Sequence, residues 1–209
     1  MSLIYLTCSI PLGLGNLNKL LVLHLRANSL FGTIPSNIGN LKKLVSLDLE
    51  YKMLNGPIPY SLGCLTSLTC LYLGSNLING SIPPQIANIR KLSYYLSLNN
   101  NKVIGPIPSG MGHLINLVTL FLNSNKFNGS IPWDIRNLTK LASLDLSVNN
   151  LSGSIPSFLG GLTSLRALNI HSNQINGTIN SKIEYCTFWS SLTYQTTTYM
   201  VSYHMNLLY

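Results

Sequence analysis

Leucine and isoleucine recur along the chain with a mixed spacing that neither one long helix nor one long strand would give. The segment 65–73 reads LxxLxxLxL, and 114–122 repeats it. The closing L-x-L is the alternation of a short β-strand, in which both leucines point to one face and the residue between them to the other. The pattern therefore predicts a series of short strands, each with a buried apolar face and a polar face.

The same polar segment follows each predicted strand. Gly-x-Ile-Pro returns about every 24 residues, as at Gly56 and Gly80. Because proline fixes φ and lacks a backbone donor, Ile-Pro predicts an irregular return segment. Asparagines that close the strands are expected to satisfy backbone groups at the turn, since a carboxamide both donates and accepts. This predicted ladder comprises Asn28, Asn76, Asn101, Asn125, Asn149 and Asn173.

The repeat divides the chain into three parts. Residues 1–16 read as a degenerate partial repeat, 17–185 as seven repeats of about 24 residues, and 186–209 keep only a faint register. The last part is either a degenerate C-terminal repeat or a disordered tail. A single unit cannot bury its leucines alone, whereas stacked neighbours can, so we expect one continuous solenoid.

Three units depart from the pattern. Lys52 stands at a ladder position, which predicts a looser turn there. The fourth unit, KLSYYLSLNNNK, has one extra residue, which a bulge just before its strand would absorb. Asn180 replaces the proline of the seventh unit, so the pattern fades toward the C terminus.

The unit LxxLxxLxLxxNxLxGxIPxxLGx resembles the plant-specific class of leucine-rich repeat over most of the chain. The resemblance implies an α/β repeat solenoid: a right-handed horseshoe with a parallel concave β-sheet, a second short sheet near LxGxIP and a mostly irregular or 3-10 convex side. It also implies an ectodomain segment of a receptor-like kinase or receptor-like protein. Such segments bind a peptide or protein ligand, in some cases together with a co-receptor.

Charge changes this picture little. Only 9% of residues are charged, and 13 Lys and Arg against 5 Asp and Glu give a net charge of +8. The basic residues are spread along the sequence without interleaved aromatics, so we expect no nucleic-acid partner. No apolar run is long enough to span a membrane, so we expect no membrane contact by this chain. The first residues lack a basic n-region and are not a clear signal peptide.

Five N-x-S/T sequons favour an extracellular or cell-surface protein, because asparagine in this motif accepts glycans in the secretory pathway. They also arise in part from the repeat consensus. Cys64 and Cys70 are the only closely spaced cysteines; a bridge would need an oxidising compartment, and two buried thiols are the simpler interpretation. The predicted glycosylation sites are Asn79, Asn128, Asn137, Asn150 and Asn176.

The residue types needed for catalysis are not grouped in the sequence. The acids do not pair as a general acid and base, the histidines are scattered, and there is no CxxC pair, so we predict neither a catalytic site nor a metal or cofactor. The polar strand face is the predicted binding surface, with Tyr72 and Phe121 as exposed aromatics on it. The candidate ligand-binding residues are Arg26, Asp48, Glu50, Tyr72, Asn99, Phe121, Asn123, Asp145, Asn169 and His171.

Three other interpretations remain open. The chain could be a soluble cell-wall binder that resembles the inhibitors of pectin-degrading enzymes, with the positive charge suiting an acidic wall polymer. It could be a truncated, non-functional gene product. A kinase domain could belong to a longer parent protein, in which case this chain itself is still not an enzyme.

Overall fold

The computed structural model describes residues 8–26 and 29–176 with their side chains, and the backbone of 191–195 and 200–203. The strands are β1 (Val22–His24), β2 (Phe31–Thr33), β3 (Ser46–Asp48), β4 (Met53–Pro57), β5 (Cys70–Tyr72), β6 (Leu77–Asn79), β7 (Tyr95–Ser97), β8 (Ile104–Pro106), β9 (Thr119–Phe121), β10 (Lys126–Gly129), β11 (Ser143–Asp145), β12 (Asn150–Ser154), β13 (Ala167–Asn169), β14 (Gln174–Asn176), β15 (Ser191–Gln195) and β16 (Met200–Tyr203). The 3-10 helices are η1 (Leu12–Asn16), η2 (Ser36–Asn40), η3 (Tyr60–Cys64), η4 (Pro84–Asn88), η5 (Ser109–His113), η6 (Trp133–Asn137) and η7 (Ser157–Gly161).

The odd-numbered strands form the main sheet, in the order β1-β3-β5-β7-β9-β11-β13-β15, with β16 at its edge. All of these neighbours are parallel except β16, which runs antiparallel to β15. Each central leucine lies opposite its copy in the next repeat, as Leu47 does opposite Leu71. Each repeat therefore contributes one strand to the main sheet, and successive repeats of about 24 residues stack as successive strands.

The even-numbered strands form two smaller parallel sheets, β2-β4-β6 and β8-β10-β12-β14. They lie in the segments just before Ile-Pro, where the resemblance implied a second sheet. Each proline that follows adopts an extended conformation and caps a five-residue 3-10 helix, as Pro108 does for η5. The parallel main sheet, the second sheets and the 3-10 side confirm the repeat solenoid expected from the sequence.

The core is a continuous column of stacked leucine and isoleucine side chains. Leu47, Leu71, Leu96 and Leu120 are at most 1% exposed, and Phe127 fills the place of a leucine in the fifth repeat with no exposure. Burial of each such side chain stabilises the fold by about 1.5–3 kcal/mol. Because no repeat could bury these side chains alone, the core forms only by stacking.

The extra residue of the fourth repeat is absorbed just before β7, as predicted. In the third repeat the N–H groups of Thr69 and Cys70 both donate to Val45 O. Next to β7, in contrast, Val118 N donates to Ser93 O (2.9 Å) and Thr119 N to Tyr94 O (3.1 Å). Two carbonyl groups thus accept the pair of hydrogen bonds that one carbonyl group accepts in the third repeat. β7 therefore pairs with β5 in register.

Two sequence expectations that concern the fold are wrong. The turn at Lys52 is not opened, because it keeps both backbone hydrogen bonds of the other repeats, from Tyr51 N to Gly74 O and from Lys52 N to Ser75 O, each at 3.2 Å. Cys64 is exposed rather than buried, since it ends η3 on the surface, and Cys70 is only partly buried. The boundaries at 16/17 and 185/186 remain predictions, and Asn180 lies outside the described residues.

Candidate functional site

The side of the main sheet that faces away from the leucine core, which we call the sheet face, carries three rows of side chains. The register aligns a middle row of His24, Asp48, Tyr72, Ser97, Phe121, Asp145 and Asn169. Just beyond the strands, an outer row holds Arg26, Glu50, Gly74, Asn99, Asn123, Ser147 and His171. An inner row, which sequence analysis did not identify, holds Val22, Ser46, Cys70, Tyr95, Thr119, Ser143 and Ala167.

Three aromatic rings meet at the centre of the sheet face. The ring centroids of Tyr72 and Tyr95 are 4.9 Å apart and tilted by 30°, and those of Tyr95 and Phe121 are 5.4 Å apart, edge to face. Tyr72 and Phe121 are therefore half-buried and not exposed as expected, because Tyr95 packs between them. Tyr95 immediately precedes the strand leucine Leu96, and strand alternation from that leucine was the signal that could have identified it.

Burial in this aromatic cluster, Tyr72, Tyr95 and Phe121, further favours the neutral form of both phenols, which is already the main form at neutral pH. It raises the pKa of Tyr72 to about 12, with the neighbouring Cys70 thiol adding to the effect through a hydrogen bond. Burial, followed by the negative charge of Glu50, also raises the pKa of Tyr95 above its ordinary value. At neutral pH the cluster therefore presents an apolar surface edged by two neutral hydroxyl groups, which can donate or accept hydrogen bonds.

A polar hollow adjoins the aromatic cluster at Gly74. The Ser97 hydroxyl donates to Glu50 Oε1 at 2.9 Å and also contacts Asn99 Oδ1. A Cβ atom at position 74 would lie 2.5 Å from Asn99 Oδ1 and 2.8 Å from Glu50 Oε1, so glycine is what lets these polar groups converge. Ser97 is only 1% exposed, although its place between two strand leucines predicted a solvent-facing residue.

Asp145 is held in a fixed orientation on the other side of Phe121. Its Oδ1 accepts hydrogen bonds from Ser147 N (3.0 Å) and Ser147 Oγ (2.6 Å), and its Oδ2 accepts one from Asn169 Nδ2 (3.1 Å). In the outer row, His171 Nδ1 lies 3.1 Å from Ser172 Oγ. The carboxylate is thus preorganised by its own strand and the next, and remains partly accessible.

Charged groups concentrate at the N-terminal end of the sheet face. The Arg26 guanidinium lies over the Tyr51 ring, 4.8 Å from its centroid, which is a cation–π distance. Asp48 is buried rather than open to solvent as expected, and its Oδ1 accepts the N–H of Glu50 at 3.0 Å. Burial lowers the pKa of Lys52; the Asp48 carboxylate partly opposes this, and Arg26 adds to it. These side chains already interact with one another.

The ten candidate ligand-binding residues all belong to the middle and outer rows, but the structure does not bring them into one pocket. Asn99 and Glu50 share the hollow, whereas Asn123 makes only a long contact, 3.5 Å from its Nδ2 to Ser124 Oγ. Asn169 is engaged with Asp145. The rows form an elongated surface, with the aromatic cluster and the adjoining hollow near its centre.

A ladder of asparagines supports the sheet face from its edge. Asn125 Oδ1 accepts the N–H of Val103 at 3.0 Å, and its Nδ2 donates to Leu98 O at 2.8 Å, joining two repeats. The same bonds recur at Asn76, Asn101, Asn149 and Asn173. Asn28 lies outside the described residues.

The five sequon asparagines are all exposed, and most lie away from the sheet face. Asn79, Asn128, Asn150 and Asn176 belong to the smaller sheets. Asn128 and Asn150 face each other across β10 and β12. Asn137 ends η6. Glycans on these residues would leave the aromatic cluster accessible.

The described part of the chain contains neither a candidate metal site nor a candidate membrane-spanning helix. There, no group of His, Cys, Asp and Glu side chains is arranged to hold a metal ion. Among the same residues, no helix has the length and apolar character needed to cross a membrane.

Comparison with known proteins identifies the repeat. The family model described as Leucine Rich Repeat matches residues 19–41, 67–89, 116–138 and 140–162. A search of curated proteins gave no match.

Several solved structures of plant proteins are similar to this chain. The plant peptide hormone receptor RGFR1, in complex with RGF2, is 41% identical with a TM-score of 0.85, over 87% of this chain and 29% of that one. The Arabidopsis receptor kinase HAESA, in complex with the peptide hormone IDA and the co-receptor SERK1, is 34% identical with a TM-score of 0.86, over 90% and 32%. A chain of the Arabidopsis BIR3–SERK2 complex is 38% identical with a TM-score of 0.58, over 64% and 70%. The chain thus spans less than a third of the first two receptors.

Proposed function

Because the chain belongs to the leucine-rich repeat family, we propose that it is a recognition segment of a plant receptor-like kinase or receptor-like protein. It lies outside the cell and binds a peptide or protein ligand on its sheet face. The segment performs no chemistry itself. In this proposal, signalling and a kinase domain belong to a longer parent protein, and a co-receptor is a separate partner.

The observation that carries the proposal is the aromatic cluster beside the polar hollow. Aromatic side chains dominate binding energy when they are rigid and partly exposed, and the ring contacts among Tyr72, Tyr95 and Phe121 hold them in place. The hollow at Gly74 supplies hydrogen-bonding groups next to that apolar surface. An apolar platform with a few fixed polar groups is the arrangement expected of a ligand site.

The similar structures support a peptide ligand over other classes. RGFR1 is a peptide hormone receptor in complex with RGF2, and HAESA is in complex with the peptide hormone IDA and the co-receptor SERK1. This favours the receptor interpretation over a soluble wall inhibitor. The ten candidate residues remain a proposal, to which we add Tyr95 because it joins the two aromatics already in the set.

A selection experiment tests the proposal without knowledge of the natural ligand. A phage-displayed library of random peptides is selected on the immobilised chain, and recovered peptides are measured by calorimetry. We expect the Tyr72→Ala, Tyr95→Ala double variant to lose at least about tenfold in affinity, since interface aromatics commonly contribute 2 kcal/mol or more.

Tyr60→Ala is the matched control, because Tyr60 is 70% exposed on η3, away from the sheet face. Its affinity for the recovered peptides should equal that of the wild type. Peptides that bind the double variant as tightly as the wild type, or lose affinity equally in Tyr60→Ala, would place the ligand elsewhere and refute the proposal.

A further inference from the structure

A second surface lies on the flank of the solenoid, in the loops that join each 3-10 helix to the next main-sheet strand. These are residues 17–21, 41–45, 65–69, 89–94, 114–118, 138–142 and 162–166. No Asp or Glu occurs in any of them. They nevertheless hold seven of the 13 basic residues: Lys19, Lys42, Lys43, Arg90, Lys91, Lys140 and Arg166. Residues that look scattered along the sequence are therefore gathered on one flank by the repeat.

The basic residues on this flank form a row along the solenoid. Lys19, Lys43, Lys91 and Lys140 occupy equivalent places in the first, second, fourth and sixth repeats, and all are exposed. Strands one repeat apart are separated by about 4.8 Å, so Lys43 and Lys91 are separated by about 10 Å. Lys140 Nζ donates to Asn116 Oδ1 at 2.8 Å, a residue of the same row one repeat earlier.

Not every cation in these loops is available to a ligand. Lys42 Nζ donates to Gly39 O (2.8 Å) and Cys64 O (3.2 Å), so it serves the ends of η2 and η3. Lys43 and Arg90 are exposed. Tyr94, 64% exposed, lies in the same loop as Arg90 and Lys91 and adds an aromatic side chain to this flank.

We propose that this basic flank binds an acidic polysaccharide, namely a linear polymer of uronic acids. Such a polymer carries one carboxylate per sugar, so it can follow a straight row of cations with no intervening acid. Sugar rings also present apolar faces that suit an exposed tyrosine such as Tyr94. The choice of a polysaccharide rests on the extracellular location in the proposed function, because nucleic acid and the anionic cytoplasmic leaflet are absent there.

The arrangement of the sequons is consistent with this assignment. Four of the five lie on the smaller sheets, so glycans would cover that side of the solenoid. Asn137 alone borders the basic flank, at the end of η6. The polymer would thus lie on a flank that glycans leave mostly open, separate from the aromatic cluster on the sheet face.

Charge reversal with a matched control tests the proposal. Retention on immobilised polygalacturonate is measured at several salt concentrations for the wild type and for Lys43→Glu, Lys91→Glu. The control is Lys102→Glu, Lys126→Glu, which changes net charge equally at exposed residues near the smaller sheets. We expect at least a tenfold loss in the first double variant, less than twofold in the control, and wild-type retention that falls as salt rises.

Equal losses in the two double variants would mean that only net charge matters, and would overturn the proposal. So would equal or stronger retention of the wild type on single-stranded RNA or phosphatidylserine vesicles at the same charge concentration. The Tyr72→Ala, Tyr95→Ala variant should keep full retention on polygalacturonate. Peptide affinity unchanged in this variant, with retention on polygalacturonate intact, would refute the peptide proposal and leave the basic flank supported.

Discussion

At the scale of single residues, the strand ends depend on side chains that both accept and donate hydrogen bonds. Asn76 Oδ1 accepts the N–H of Leu54, while its Nδ2 donates to Leu49 O. Lys52 occupies the equivalent place one repeat earlier, where the corresponding N–H belongs to Leu30. An ammonium group can donate to carbonyls but cannot accept a hydrogen bond. Lys52 therefore cannot form the accepting bond that asparagine forms at the other ladder positions.

Restoring the ladder with Lys52→Asn is expected to stabilise the protein. The substitution supplies the carboxamide acceptor of the other ladder positions and removes a positive charge from a site that is 6% exposed. We expect a gain of about 0.5–1.5 kcal/mol in the free energy of unfolding at pH 7, the net contribution of a typical hydrogen bond. Chemical denaturation of both proteins measures the difference, and Lys102→Asn, at an exposed lysine, should change stability by less than about 0.5 kcal/mol.

The gain should depend on pH with a definite sign. Burial lowers the pKa of Lys52 below its ordinary 10.5, so the folded protein releases this proton more readily than the unfolded chain does. Wild-type stability therefore rises with pH between the lowered pKa and 10.5. The advantage of Lys52→Asn should be largest at pH 7 and shrink toward pH 10. This account would be contradicted if Lys52→Asn were less stable than the wild type, or if the difference in their free energies of unfolding did not change with pH.

At the scale of elements, four of the described 3-10 helices, η1, η2, η3 and η5, stack so closely on the next helix that their fourth residue, a glycine, has little room. A Cβ atom at Gly112 of η5 would lie 2.3 Å from Asp134 O of η6, and one at Gly39 of η2 would lie equally close to Ser61 O of η3. The glycine of xxLG is therefore a packing requirement between neighbouring repeats. Ala87 takes this position in η4 and Arg136 takes it in η6, so the spacing varies between pairs.

Gly112→Ala should destabilise the protein, because its methyl group must push η5 and η6 apart. Overpacking of this kind costs about 1–3 kcal/mol. Gly161→Ala is the matched control: it makes the same change within η7, where a Cβ would meet nothing within 4 Å. Thermal unfolding should show a lower Tm for the first variant only. Equal Tm values for both would show that the backbone relaxes without cost.

At the scale of the whole molecule, the fold was predictable because one short pattern repeats. The L-x-L strands, the parallel main sheet and the bulge before β7 all follow from the period and its single exception. The consequence of Lys52 was not predictable, because its turn is held by backbone bonds to Gly74 and Ser75 in the next repeat. Local sequence alone does not contain that support.

The candidate site was predicted only in part, for the same reason. Strand alternation found the middle row, but the three-ring cluster depends on contacts across repeats in which Tyr95 is central. Ser97 is buried because Glu50 and Asn99, from other positions, converge on it. The basic flank was also missed, since its cations are far apart in sequence and adjacent only after stacking. Each of these unpredicted features arises from packing between neighbouring repeats.

A solenoid of this kind should tolerate the loss of one whole repeat, because each unit contacts mainly its two neighbours. Deleting residues 114–137 joins His113 to Leu138 and keeps the repeat in phase. We expect a folded chain with cooperative urea unfolding and a smaller m-value, since less surface is buried. Phe121 is lost with the repeat, so peptide affinity on the sheet face should fall although the solenoid survives.

Whether a deletion keeps the strand leucines of neighbouring repeats aligned should matter more for folding than the number of residues removed. Deleting only residues 126–137 removes about half as much chain but sets the remaining leucines out of phase with their neighbours. Leu144 could then no longer lie against Leu120, a pair that is adjacent in the main sheet. The shorter deletion should therefore lose the cooperative transition that the longer one keeps. Cooperative unfolding after the shorter deletion, or its absence after the longer one, would show that contacts beyond nearest neighbours hold the solenoid together.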